Sequence, residues 1–285
     1  MTTDTVGNIT VRPSRVLLMH RPGHGVRAVG FAGLVDGKSL VACSTHIACT
    51  ACKACRAGLS AHCEQQLLLD GSDPAASCLQ EQVSVPAHAA VEVPADGAID
   101  ASAAAFAPLI GEALHAARTA SPASNDFVSV LGTGPLATII AHLLASRGTG
   151  VRMLTDDTAQ LELCAKLGLR HRAQREAGLR RDQNVVIDAE GSTESLSLAA
   201  QLLTPRGTLV LLASQASADL AEFIHREARI VGVRGCDTRA GMAELTAGAI
   251  DISAMNVHRP ARAGIDATMQ EAARLKHLGV VVELD

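Results

Sequence analysis

Four cysteines, Cys49, Cys52, Cys55 and Cys63, fall in one stretch, CTACKACRAGLSAHCE, with the spacing C-x2-C-x2-C-x7-C. Four thiolates this close match the tetrahedral all-sulfur set of a closed structural zinc site. The short spacers let a compact loop wrap the ion without a preformed scaffold, so the segment is expected to be an irregular lobe held by metal. Disulfides or an iron–sulfur cluster are the competing uses of four such cysteines. The opening residues, MTTDTVGNITVRPSR, carry no basic run followed by an apolar one, so no secretory signal is expected. A chain of 285 residues also has little need of covalent staples. Zinc is therefore favoured. Four cysteines leave it no open position, so it points to structure rather than catalysis.

The length suits two domains, each with its own core. The apolar residues are mostly Ala, Val and Leu, with four Phe and neither Trp nor Tyr, so the core packs small side chains. A formal net charge of −4 offers no basic field for phosphate backbones, and nucleic acid is not an expected partner. No segment is long and apolar enough to span a bilayer, so no membrane partner is expected. The other cysteines, Cys43, Cys78, Cys164 and Cys236, are scattered and expected to be reduced, which fits a cytoplasmic protein.

Residues 1–117 contain short apolar runs broken by Gly, Pro and polar clusters, among them Val16–Met19, Leu40–Ala42 and Val83–Val85. Such runs read as a β-rich domain, which the cysteine lobe interrupts. An Ala-rich helix follows from Ala101 to Ala117, broken at Pro108. Residues 118–236 alternate strand and helix. Strands are expected at Phe127–Leu131, Val151–Thr155, Asn184–Asp188, Thr208–Ala213 and Arg229–Val233. Helices are expected at Pro135–Ser146, Ala159–Leu167, Thr193–Leu203 and Ala218–Arg226. The Arg-rich stretch RHRAQREAGLRR leaves room for a brief strand and a trimmed helix. This alternation specifies an α/β doubly wound parallel sheet.

Gly132-Thr-Gly134-Pro-Leu136-Ala137 follows a buried strand and opens a helix, the setting of the G-x-G-x-x-G/A dinucleotide fingerprint. Gly132 suits the tight turn, Gly134 the approach of a pyrophosphate, and Ala137 close helix–sheet packing. The helix amino terminus faces the phosphates with partial positive charge. Counting back from Leu167-Gly168 puts Thr155 where the ribose-binding acid usually stands, with Asp156 next. Asp156 and Asp157 would repel a 2′-phosphate and no Arg follows directly, so NAD(P) is expected with a lean to NAD.

The quartet and the glycine turn together resemble the medium-chain zinc-containing alcohol dehydrogenases. CTACKACRAGLSAHCE is similar to the family's structural-zinc lobe, Gln82–Ala95 to its strand pair, Ala103–Ala117 to its interdomain helix, and Val130–Ala137 to its cofactor turn. Val185–Gly191, Gly207–Ala213 and Ile230–Gly235 look like its later strands, so the resemblance runs from about residue 40 to the carboxyl end. It implies a GroES-like β-rich domain (1–117 and 237–285) carrying the zinc lobe, plus a Rossmann domain (118–236). It also implies a small-molecule alcohol or carbonyl substrate and a homodimer or homotetramer.

The departures lie where the family places its catalytic zinc. No cysteine precedes Cys43, Gly23-His24-Gly25 resembles the family's Gly-His-Glu with the acid lost, and Ala107 stands where relatives carry a ligating Glu. The resemblance therefore implies a trimmed member without catalytic zinc, and some relatives reduce carbonyls or alkenes with no metal. Cys43 with His46, joined by Cys78 or His88, is one candidate set for a rebuilt metal site; buried thiols and a surface histidine are the simpler account. His24 is a candidate proton-transfer residue, with His20 beside it; solvated histidines are the simpler account. His115 faces either core or cleft, and Glu190 either contacts ligand or caps a helix. Two functions follow: an NAD(P)-dependent oxidoreductase, or a catalytically silent dinucleotide-binding or scaffold protein that keeps the zinc.

Overall fold

The structure, a computed structural model, describes residues 7–73, 76–213, 219–260 and 264–284. The first two strands, β1 (Asn8–Arg21) and β2 (Gly25–Val35), form one long antiparallel hairpin, and β3 (Ser39–Ser44) extends it. β1 outruns the apolar segment Val16–Met19 that pattern alone picks out, and β2 falls where pattern picks out none. A register irregularity between Pro13 and Arg15 lets β1 carry a proline, which has no N–H to give the ladder. Further along, Leu17 and Met19 enter one hydrophobic core while Val16 and Leu18 enter another. Alternation along a strand thus feeds two cores, which is why VLLM is buried throughout.

After β3 the chain leaves the sheet. β4 (His46–Ile47) pairs with β5 (Leu67–Leu68) across a lobe containing only α1 (Lys53–Arg56) and a 3₁₀ turn at Ser60–His62. No residue of α1 or of that turn is buried, so a hydrophobic core does not hold the lobe. β6 (Asp70–Asp73) and β7 (Ala76–Ser77) follow, then β8 (Val83–Pro86) against β1 and β9 (Ala90–Glu92) against β3.

The Ala-rich segment is two helices, α2 (Ala101–Ala104) and α3 (Ala107–Ala120), rather than one broken at Pro108. The break comes at Ala105-Phe106, and Pro108 sits in the first turn of α3, where its missing N–H leaves no bond unmade. Phe106, fully buried at that break, lies against Gly279, whose missing Cβ would fall 2.9 Å from its ring.

From β10 (Phe127–Leu131) the chain alternates: α4 (Pro135–Ser146), β11 (Gly150–Leu154), α5 (Thr158–Lys166), β12 (His171–Arg172), β13 (Gln183–Asp188), α6 (Thr193–Leu202), β14 (Leu203–Leu211), α7 (Ala221–His225) and β15 (Arg229–Gly232). All neighbours pair in parallel, in the order β12-β11-β10-β13-β14-β15. The short β12 and a 3₁₀ turn at Gln174–Glu176 occupy the Arg-rich stretch. β14 starts five residues ahead of the expected Thr208. The expected start of α7, Ala218, lies outside the described residues. Strand order reverses between β10 and β13, so their carboxyl ends form the switch-point crevice where such sheets bind ligands.

The remaining elements are α8 (Thr238–Thr246), β16 (Asn256–Pro260), α9 (Ile265–Arg274) and β17 (Gly279–Glu283). β17 pairs antiparallel with β1 and β16 lies parallel to β17, so the last segment completes the first sheet. α8 packs on α3 through two glycines. A Cβ on Gly241 would stand 1.9 Å from the Ala107 carbonyl oxygen, and one on Gly111 2.2 Å from that of Asp237. That close crossing brings Cys236 and Asp237 up against α3.

Candidate active-site cleft and metal lobe

The four lobe cysteines converge: their sulfurs lie within 4.8 Å of one another, with Cys52 and Cys63 Sγ 4.0 Å apart. Zn–S bonds of 2.3 Å imply sulfur–sulfur edges of about 3.8 Å, so the set fits a tetrahedral ion and no pair is at disulfide distance. Backbone N–H groups already point at the sulfurs. Cys49 donates to Cys63 Sγ at 3.2 Å, Cys52 to Cys49 Sγ at 3.3 Å and Cys55 to Cys52 Sγ at 3.5 Å. N–H bonds from Cys55 and Glu64 hold the Cys52 thiol down to about 6, while burial and neighbouring sulfurs push Cys55 up to about 12. A bound cation relieves that crowding of charge.

The glycine turn sits where the sheet order reverses. Gly132 and Gly134 both have positive φ, 125° and 124°. A Cβ on Gly132 would meet the Ala189 carbonyl carbon at 3.3 Å, and one on Gly134 the Lys276 carbonyl oxygen at 3.1 Å. Gln160, fully buried on α5, pins the turn: it accepts from Gly134 N–H at 2.8 Å and donates to Thr138 at 2.8 Å. The first-turn amides of Leu136 and Ala137 have no partner inside α4, as helix geometry requires. On the facing strand end, buried Asp188 accepts from the Glu190 and Gly191 amides and from Ser195 Oγ, fixing the loop that carries Ala189. Burial pushes its carboxyl up, and those bonds oppose the shift.

Thr155 is buried, with its hydroxyl 2.7 Å from that of Thr133. Asp156 is exposed and 3.3 Å from the Arg175 guanidinium, while Asp157 is occupied as the cap of α5. Sequence distance concealed Arg175, which folds back beside Asp156.

A cleft of about 760 Å³ runs from this turn to the first sheet. Thr133, Leu136, Ala137 and Ala189 line one side; His20, Arg21, His24, His46 and Glu112 line the other. Arg21, at the end of β1, donates to both Glu112 carboxylate oxygens, at 2.7 and 2.5 Å. Both side chains are mostly enclosed, at 22% and 16% exposure. Burial works against the charge on Arg21, but Glu112 more than offsets it and the guanidinium is held firmly protonated. Beside them Cys236 Sγ donates to Ser44 Oγ at 3.3 Å, and burial raises its thiol. His46 Nε2 lies 3.7 Å from Asp70, which also faces Arg27 at 3.8 Å. Burial pulls the His46 imidazole below its ordinary value, with Asp70 opposing and Arg21 adding to the drop.

His24 sits exposed on the turn joining β1 to β2, in the cleft wall, and His20 lines the same cleft. Cys43 and Cys78 are fully buried in the second core, each thiol pushed up to about 12, and His88 bonds to the Ala48 carbonyl at 3.0 Å. Among the described residues, the lobe quartet is the one set of three or more Cys, His, Asp or Glu ligands brought within coordinating reach. His46, expected on the lobe surface, belongs to the cleft. His115 is exposed on α3 and is absent from the cleft lining. Ala107 is buried in the interdomain core. Glu190 does not cap α6: Ser192 does, while Glu190 accepts from Gln174 and Ser192. Sequence reading missed Arg21, Glu112, Asp70 and Cys236, which come together only through tertiary packing.

A zinc-type cysteine lobe, a first sheet completed by the last strands, and a doubly wound domain with a glycine turn at the cleft together make the fold of the medium-chain dehydrogenases. No family model matches the chain. It is 29% identical over 231 residues to the L-threonine 3-dehydrogenase of Chelativorans sp., covering 75% of this chain but 66% of that protein, just under two thirds of its length. The NADH complex of an alcohol dehydrogenase (rspB) from E. coli CFT073 matches with a TM-score of 0.84 at 19% identity, covering 100% of this chain and 94% of that one. A zinc-binding dehydrogenase from Sinorhizobium meliloti, bound to NADP, matches at 0.83 and 18%, covering 99% and 94%. In sequence and in fold the chain is similar to the medium-chain zinc-containing alcohol dehydrogenases.

Proposed function

We propose that the chain is an NAD(P)-dependent oxidoreductase acting on a small alcohol or carbonyl compound, with one structural zinc and no catalytic zinc. One observation carries this: one cleft is walled by the glycine turn and by ionisable groups from β1, α3 and β4. Gly132 and Gly134 leave the space, and the α4 amides supply the donors, that a pyrophosphate needs. Once held there, the cofactor supplies hydride exchange at its nicotinamide. The residues Gly132, Gly134, Leu136, Ala137, Thr155 and Asp156 are its binding set, and Cys49, Cys52, Cys55 and Cys63 hold the zinc. Asp156 favours NAD through the ribose hydroxyls, while Arg175 offers a 2′-phosphate a partner, so NADH and NADPH affinities are to be compared. L-threonine 3-dehydrogenases among the relatives support an alcohol-bearing substrate.

The test is a titration of both reduced cofactors by fluorescence, with metal counted on the same sample. The expected result is micromolar binding of at least one and one zinc per chain. Binding without turnover of any alcohol or carbonyl would make this a dinucleotide-binding scaffold; no binding of either would end the dehydrogenase reading.

Eight unpaired cysteines favour a reducing, cytoplasmic setting. No helix among the described residues is long and apolar enough to cross a membrane. β15 ends its sheet with Ile230 41% exposed, and Ile224 on α7 is 72% exposed, which supports a homodimer through this edge. Ile230→Lys should convert the dimer to a monomer in light scattering; a wild-type monomer would contradict it.

A further inference from the structure

The cleft holds two polar pairs outside the cofactor-binding set named above. Arg21 spends two of its five N–H donors on Glu112, and its side chain, 22% exposed, lines the cleft. His46 stands 47% exposed in the same cavity beside Asp70. Four elements supply these groups: β1 of the first sheet, α3, and β4 and β6 of the two small two-stranded sheets. Arg21 and Glu112 are close enough to His46 to bias its titration.

We propose that Arg21, held by Glu112, and His46, held beside Asp70, bind the oxygen and transfer the proton of a small alcohol or carbonyl substrate without a metal. This rests on the cofactor reading above. In the oxidation direction, the alcohol carbon gives up its hydride to the oxidised nicotinamide. The O–H pair becomes the second bond of the C=O group, and the proton passes to His46 Nε2, which later releases it to solvent. Developing negative charge on the oxygen is met by Arg21, a fixed cation in a partly enclosed site. Arg21 stays charged because Glu112 compensates it, and Glu112 also fixes the plane of the guanidinium. Glu112 and Asp70 are positioning residues.

A neutral imidazole is the competent base. His46 is pulled below its ordinary 6.5 by burial and Arg21, against the opposing pull of Asp70 and Glu112. Arg27 faces Asp70, and His20, His24, His88 and Cys236 share the cavity. The rate of oxidation therefore rises as pH passes a midpoint below 6.5 and is level above it.

The experiment uses the whole chain, NAD and p-nitrobenzyl alcohol, with NADH affinity, thermal unfolding and metal content measured on every variant. His46→Gln should lower kcat/KM about 100-fold and abolish the acid limb, with NADH affinity unchanged. Replacing a buried ion pair with apolar residues of similar volume generally preserves folding. The double variant Arg21→Met with Glu112→Leu should therefore keep its fold and its NADH affinity, yet lose about 100-fold in kcat/KM. A histidine NMR titration should show the His46 midpoint below 6.5, falling further in Asp70→Asn. A fully active double variant, or an acid limb that survives His46→Gln, overturns the assignment. So does a second bound metal, or NADH binding with no turnover of this alcohol by the wild type. Failure of NADH to bind instead removes the cofactor reading on which the assignment rests.

Discussion

Gly132 shows how much one residue constrains here. Its φ of 125° lies where only glycine is comfortable, and its open face meets Ala189, not solvent. Gly132→Ala should cost about 1–3 kcal/mol of stability from backbone strain and weaken NADH binding at least tenfold. Chemical denaturation and the same fluorescence titration would check both, and unchanged affinity would remove Gly132 from the phosphate cradle. Glycine and cysteine roles of this kind are legible in a sequence because their partners are near neighbours along the chain. The Arg21–Glu112 pair joins residues 91 positions apart, and nothing in local pattern couples them. His46 looked like a lobe residue because its partner Asp70 lies on the far side of the lobe, brought back only when β4 pairs with β5.

Among elements, the cysteine lobe has a second role beyond its own order. Thr50 lies between the first two ligands, Ser60 and Ala61 between the last two, and all three line the cleft. Ala61 also packs on Gly235, where an added Cβ would fall 2.5 Å from it. A metal that fixes the lobe therefore fixes a wall of the cleft. Chelating the zinc, or Cys52→Ser, should lower Tm and reduce turnover of p-nitrobenzyl alcohol, with a smaller effect on NADH affinity, since the glycine turn lies opposite. Thermal unfolding with and without chelator, beside both titrations, would check this; an unaltered Tm would mean the lobe is held by something other than metal. α4 was legible to both ends because the glycine turn starts it and Pro135 opens it without needing an N–H. β2 was not: VRAVGFAGLV is interrupted by glycines that look like turns. In the fold Gly30 is a packing position, with no room for a Cβ against Ala105.

Across the whole molecule, the alternating half was legible because parallel strands read as continuous apolar runs separated by helices. The first half was less so, since its sheet draws strands from both ends of the chain and β17 lies more than 250 residues from its partner β1. The glycine contact between α3 and α8 sets Cys236 beside Glu112 and Arg21. A cleft built this way has a nucleotide side and a polar side, and the central claim is that both are in use. The most direct test is NADH and NADPH fluorescence titrated into the wild-type chain, a clean signal in a protein without Trp or Tyr. Saturable micromolar binding, weakened at least tenfold by Gly132→Ala, is the predicted result. No binding of either nucleotide to a folded, zinc-loaded chain would contradict the account.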